Sequence, residues 1–315
     1  MNASADLDRA VALLNAGECI GIPTETVYGL AADATNPAAV ARVFALKQRP
    51  AHNPLIVHVT DADMARPLVT HWPDRATDLC NRFWPGPLTL VLHASDRIVP
   101  AARAHGPTVA LRCPDHPVAL ELLRAFGRPL VAPSANRSGS VSPTTPAHVR
   151  ADFPDLLILD AGPCRIGIES SVLSLVHDPP RLLRPGAVTP EMLDIALADD
   201  APAATDPHLH SPGRLASHYA PTAPASLVTT ADLPRLLQEQ RHPCILLAYS
   251  TPAAPALHTV IAMPTDAPAY AARLYAALRE ADAHHPAHIF IESPPTDSSL
   301  WRAIHDRLAR ATAHP

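Results

Sequence analysis

A chain of 315 residues is long for one domain and ample for two. Hydrophobic residues at 47% can fill a sizeable core, while 17% charged residues and a formal net charge of -5 exclude the strongly basic balance of a general nucleic-acid coat protein. The five cysteines are scattered, odd in number and without a C-x-x-C, and no apolar run approaches ~20 residues; a reducing, cytoplasmic setting is expected, with no disulfide frame, zinc site, signal peptide or membrane span.

The elements follow in chain order. A helical period over residues 4–16 has Ser4 as its N-cap and stops at Gly17. Residues 19–23 read as a short buried strand. Asn36-Pro37 is a cap followed by proline at the first helical position, which predicts a helix to about Leu46. Strands are predicted at 55–59, 88–93, 108–112 and 130–132, helices at 117–126 and near 146–152, and strands at 156–159, 171–175 and 181–183. The order is not a clean β-α-β repeat, so residues 1–200 are expected to form one α/β domain around a mixed sheet. Residues 201–224 are rich in Pro, Ala, Ser and His and lack apolar periodicity, which reads as a linker. Beyond it, strands at 226–228, 244–249, 259–263 and 288–292 alternate with helices at 232–240, 267–281 and 298–312. That pattern predicts a smaller, Rossmann-like α/β domain over residues 225–315.

The common nucleotide motifs are absent. Leu46, not glycine, precedes Lys47, and no G-x-G or H-E-x-x-H occurs. Polar clusters stand in their place. PTETVYGLAAD, from Pro23 to Asp33, follows a strand directly, where ligands commonly bind, although a turn closed by threonine hydroxyls would read the same. KQRPAHNPLIVHV, from Lys47 to Val59, holds the only lysine of the chain; the other 24 of the 25 basic residues are arginine. Lys47 and Arg49 at a helix end suit the helix dipole, and with Asn53 they equally suit phosphate oxygens. His58 alternates with Val57 and Val59, so it is either exposed or lines a pocket. Arg112 ends an apolar strand, either paired in the core or gripping a carboxylate through its planar fork. VAPSANRSGSVSPTT is either a solvated loop or a nest of hydroxyls and amides for phosphates. GIESSVLSL and RLLRPG follow, with Arg184 closing the domain, and the linker carries SPGRLASHYAP, a plain tether or a lid.

In that order, PTETVYGL, KxRPxxNPLIVHV, WPGPLTLVL, APSANRSGxVSPTT, GIES and SPGxxxxHYAP make the chain resemble the YrdC-like threonylcarbamoyl-AMP synthases in their long, two-domain form. The resemblance is dense over residues 5–222 and rests on strand pattern beyond. It implies a twisted mixed-sheet catalytic domain with a concave basic site, a smaller accessory domain, and the condensation of L-threonine, bicarbonate or carbon dioxide and ATP to threonylcarbamoyl-AMP and pyrophosphate. Downstream proteins would move the threonylcarbamoyl group to the tRNA adenosine next to the anticodon. Carried over by position, Thr26, His58, Arg112, Ala132 and Ser171 are implied threonine contacts. Arg49, Asn53, Thr108, Ser134, Ser142, Arg184 and Tyr219 are implied ATP contacts. Lys47 matches the family's site lysine, and Lys47 with Arg49 is expected to act in catalysis. Mg²⁺ is expected with ATP, without a dedicated carboxylate cage. Many relatives carry a basic and an aromatic residue between SPG and HYAP; Arg214-Leu215-Ala216-Ser217 stands here, which puts a lysine role in that segment in doubt. Two other readings remain: an RNA-binding module with a basic concavity, and an enzyme of another carbamoyl adenylate. The second would carry zinc-finger and acylphosphatase-like regions, and neither is visible.

Overall fold

The computed structural model describes residues 3–198, 218–250 and 255–313. The first unit runs through α1 (Ala3–Asn15), β1 (Ile20–Ile22), β2 (Gly29–Asp33), α2 (Pro37–Lys47), β3 (Ile56–His58), α3 (Ala62–Ala65), α4 (Asp74–Phe83) and β4 (Leu88–His93). It continues through β5 (Thr108–Arg112), α5 (Pro117–Phe126), β6 (Leu130–Val131), α6 (Pro146–Asp152), β7 (Ser171–Ser174), β8 (Arg181–Arg184) and α7 (Pro190–Leu193). Asn36 caps α2 through Oδ1, which accepts the Ala38 and Ala39 amides, with Pro37 at the first turn as its missing donor allows.

Eight strands form one mixed sheet in the order β1-β2-β6-β3-β5-β4-β7-β8. β3 and β5 are parallel, as are β4 and β7, and the other neighbours are antiparallel. β5 lies in the interior, bonded on both edges. The expected strand at 156–159 is a correction: only Gly21 pairs there, as a single bridge with Ile158, its amide donating to Leu157 O and its carbonyl accepting from Leu159. β1 is three residues long, too short to extend that ladder. β2, α3, α4 and α7 are elements the sequence pattern did not predict.

The second unit holds β9 (Ala225–Val228), α8 (Leu233–Glu239), β10 (Cys244–Ala248), β11 (Thr259–Ala262), α9 (Ala267–Ala283), β12 (His288–Glu292) and α10 (Ser299–Ala311). Its four strands are all parallel, in the order β11-β10-β12-β9. β10 is the unbroken apolar run CILLA, buried throughout, as a parallel strand covered on both faces requires. Together the two sheets make an α/β protein with one twisted mixed sheet and one parallel sheet. Among the described residues, no helix is long and apolar enough to cross a membrane.

The units share a core. Val27, Val141 and Ile168 of the first pack in one cluster with Tyr219, Tyr270, Leu274 and Tyr275. Gly167, at φ 79°, lies so close to α9 that a Cβ there would sit 2.4 Å from Ala271 O. Only glycine meets both conditions, the left-handed backbone and the absent side chain.

Candidate active site

The loops after β1, α2 and β6, the turn before β7, and strands β3, β5 and β8 converge with the chain following residue 217 on a narrow cavity of about 50 Å³. Of the residues singled out in the sequence, His58, Arg112, Ala132, Arg49, Ser134, Arg184 and Tyr219 line it. Val27, Ile56, Pro133, Glu169 and His218 complete the lining.

The remaining candidates are not among the lining residues. Lys47 is 1% exposed, and its Nζ donates to Ser134 O at 2.5 Å and Asn136 O at 2.6 Å. Burial first, then the Arg49 charge, push its pKa well below the ordinary lysine value. Asn53 Oδ1 accepts from Arg49 Nη2 at 2.6 Å, while Asn53 Nδ2 is buried without a partner, a donor left for something else. Thr26 Oγ1 accepts from Arg112 Nη2 at 2.9 Å. Ser142 Oγ donates to Glu169 Oε1 at 2.8 Å. Ser171 is withdrawn from the cavity: its hydroxyl donates to Val188 O at 2.6 Å and accepts the Val188 amide at 3.1 Å. Thr108 begins the strand that Arg112 ends, roughly 13 Å away at the rise of an extended chain. Residues Arg214–Ser217 of the linker lie outside the described residues.

Arg112 is paired in the core and also lines the cavity. Its Nη2 is 2.7 Å from Glu25 Oε1, both side chains are buried, and its Nε donates to Gly86 O at 3.3 Å. Glu25 was visible inside PTETVYGL, between two threonines, but nothing nearby in the sequence named its partner. His58 and His218 are held neutral, with pKa values pushed down to about 3, by burial above all. For His58 the Arg112 charge adds to that; for His218 the opposing pull of Glu169 is outweighed by burial together with Arg49, Lys47 and Arg184. Each keeps a buried Nδ1 without a partner. Arg49 falls to about 10, so it keeps its charge at neutral pH.

Tyr219, at φ 63°, roofs the cavity with its ring stacked on Tyr275 at 5.4 Å between centroids. It is pinned on both sides: the His218 amide donates to Arg310 O at 3.2 Å and the Ala220 amide to Gly139 O at 2.9 Å. The buried hydroxyl of Tyr219 has no partner. Clustered cations and orphaned polar groups around one cavity describe a site for an anionic, multiply hydrogen-bonded ligand.

Comparison with known proteins gives this site a family. The profile described as Telomere recombination, that of the Sua5, YciO and YrdC proteins, matches residues 12–186, and that described as Threonylcarbamoyl-AMP synthase, C-terminal domain, matches residues 188–313. The threonylcarbamoyl-AMP synthase of Bacillus subtilis (strain 168) is 40% identical over 325 residues, covering 96% of this chain and 92% of that protein. The synthase of Pyrococcus abyssi (strain GE5 / Orsay) is 43% identical over 227 residues, covering 70% of this chain and 66% of that one. The crystal structure of Pyrococcus abyssi Sua5 complexed with L-threonine superposes with a TM-score of 0.87 at 34% identity, covering 97% of this chain and 94% of that one. The fold and site thus define an enzyme of the nucleotidyltransferase type. The chain belongs to the threonylcarbamoyl-AMP synthase family, in the form that carries both domains.

Proposed function

We propose that this chain condenses L-threonine, bicarbonate or carbon dioxide and ATP into threonylcarbamoyl-AMP, releasing pyrophosphate. The observation that carries the proposal is the convergence of Arg49, Arg112, Arg184, His58 and Ser134 on one cavity, in a chain whose relative was crystallised with L-threonine. The reaction needs no covalent enzyme intermediate. A neutral threonine amine attacks carbon dioxide, a carbamate oxygen attacks the α-phosphorus, and the bond to pyrophosphate breaks. What the protein supplies is positioning and cationic stabilisation of developing charge. Thr26, His58, Arg112, Ala132 and Ser171 serve the threonine end. Arg49, Asn53, Thr108, Ser134, Ser142, Arg184 and Tyr219 serve the nucleotide, with Lys47 and Arg49 acting on the reacting anions. The Ser171 hydroxyl is committed to Val188 and its amide donates to Pro87 O at 3.0 Å, so its part is to hold the strand start in place beside the site.

Mg²⁺ enters with ATP as part of the substrate. Among the described residues no group of three or more His, Cys, Asp and Glu could hold a metal, and both oxygens of the carboxylate on the cavity wall, Glu169, already accept hydrogen bonds. The product would pass to proteins that transfer its threonylcarbamoyl group to tRNA, in the cytoplasm. A direct grip on RNA fits less well, because Lys47, Arg49, Arg112 and Arg184 are all buried rather than spread on a surface. The test is pyrophosphate release from ATP with threonine and bicarbonate supplied together or singly. Release that ignores either one refutes the proposal.

A further inference from the structure

The carboxylate on the cavity wall is held mainly by the second unit. Glu169 Oε2 accepts from Tyr275 OH at 2.9 Å and from Arg307 Nε at 3.2 Å, one residue on α9 and one on α10. Its Oε1 accepts from Ser142. Arg307 is fully buried, and its Nη1 donates to Pro185 O at 2.6 Å, next to Arg184. Arg184 in turn grips the residue after Glu169, through Nε to Ser170 O at 3.0 Å and Nη2 to Ser170 Oγ at 3.1 Å. Burial pushes the Glu169 carboxyl up, but Arg307 and Arg184 outweigh it and hold the group below the usual carboxylate range.

We propose that Tyr275 and Arg307 are positioning residues for the nucleotide half of the site: by clamping Glu169 they fix Ser142 and Arg184 against the bound ATP. The proposal rests on the reaction proposed above. An ion pair whose only task was to join two units has no need to stand on the cavity wall, yet Glu169 lines the cavity. Arg307 also bridges to the carbonyl of Pro185, so one side chain sets the spacing between the GIES turn and the strand end that carries Arg184. Gly186 makes that spacing tight, since a Cβ there would meet Ser171 N at 2.5 Å and Glu169 O at 2.8 Å. Tyr275 also stacks on Tyr219, so the wall and the roof of the cavity are both set from α9. At the threonine end, Arg112 is held instead by Gly86, Thr26 and Glu25, all of the first unit.

The experiment uses the full chain and a variant that deletes one hydroxyl while keeping the stacked ring, Tyr275→Phe, with Arg307→Lys beside it. Affinity is read as KM in pyrophosphate release and as Kd by calorimetry for ATP and for threonine separately, with thermal unfolding as the check on folding. Tyr275→Phe is expected to weaken ATP by roughly tenfold, the scale of one hydrogen bond to a buried charge, and to leave threonine within about twofold. In a Glu169→Gln background the same substitution is expected to have little further effect on ATP, because the two act as one unit. Arg307→Lys, which keeps the charge and loses the fork, is expected to show the same split. Equal weakening of both substrates, an additive effect with Glu169→Gln, or unchanged ATP affinity overturns the positioning role and leaves an ordinary inter-unit pin. The calorimetric arm needs no turnover, so a wild type that releases no pyrophosphate refutes the proposed reaction without hiding the answer here.

Discussion

Lys47 is tied to Ser134: its Nζ reaches the Ser134 carbonyl at 2.5 Å, and the Asn136 carbonyl at 2.6 Å, joining the end of α2 to the serine-rich loop after β6. Replacing it by methionine keeps the apolar stem and leaves two carbonyls unmet, that of Asn136 buried and that of Ser134 part-buried. Lys47→Met is expected to destabilise the fold by about 1–3 kcal/mol and to abolish pyrophosphate release. Urea unfolding at wild-type midpoint would show that the lysine does not hold the loop.

Arg112 and Glu25 make the next prediction. From the sequence alone, Arg112→Ala should remove activity and spare the fold. The buried pair changes that expectation, because the truncation leaves Glu25 without its counter-charge. Arg112→Ala is expected to cost about 3–5 kcal/mol, the scale for breaking a buried pair. Arg112→Ala combined with Glu25→Gln should regain much of the stability and none of the activity. Equal denaturation midpoints for the single and double variants would contradict the pairing.

Nucleotide binding should take up protons. His58 and His218 have pKa values displaced down to about 3, by burial first, and a polyanion brought beside them pulls those values back up. Titration calorimetry of ATP at neutral pH, repeated in buffers of different ionisation heat, should show net uptake. Heats that do not depend on the buffer would rule it out.

Stability should fall on mild acidification. The unfolded chain protonates its histidines near the ordinary 6.5, whereas folded His58 and His218 resist to about 3. Between those values the unfolded state binds more protons, so stability present above pH 6.5 is lost as pH drops toward 3, by up to about 1.4 kcal/mol per histidine for each pH unit. Chemical unfolding at a series of pH values measures the slope. His218→Asn should flatten it by the share of one proton.

Gly167→Ala puts a methyl group against the backbone of α9 at a left-handed position. A loss of about 1–3 kcal/mol is expected from the overpacking, together with faster proteolytic release of the second unit. Wild-type melting and proteolysis would mean that the two units do not depend on this close approach.

Local rules made much of the fold legible. Asn36-Pro37 announced α2, and the apolar run of residues 88–93 announced β4, because cap chemistry and burial are written in adjacent residues. β2 escaped because Gly-Leu-Ala-Ala-Asp has little strand propensity and is held by its neighbours β1 and β6. α4 could have been read from Ala76, Leu79 and Cys80 on one face. The site was legible where a motif was dense, as at Lys47 to His58. Glu169 stood in plain view within GIES, but its partners Tyr275 and Arg307 lie 106 and 138 residues on, and no period or spacing connects them.

Arg112 and Thr108 stand on the same face of one strand, four residues apart, and β3 and β4 hold that strand on both edges. If the two residues meet opposite ends of the reacting pair, as proposed, the sheet interior acts as a ruler. The distance between the amino-acid end and the nucleotide end is then set by the pitch of an extended chain. The Tyr219 roof is fixed by other partners, Arg310, Gly139 and Tyr275, so substrate reach and the cover over the site are set by different elements.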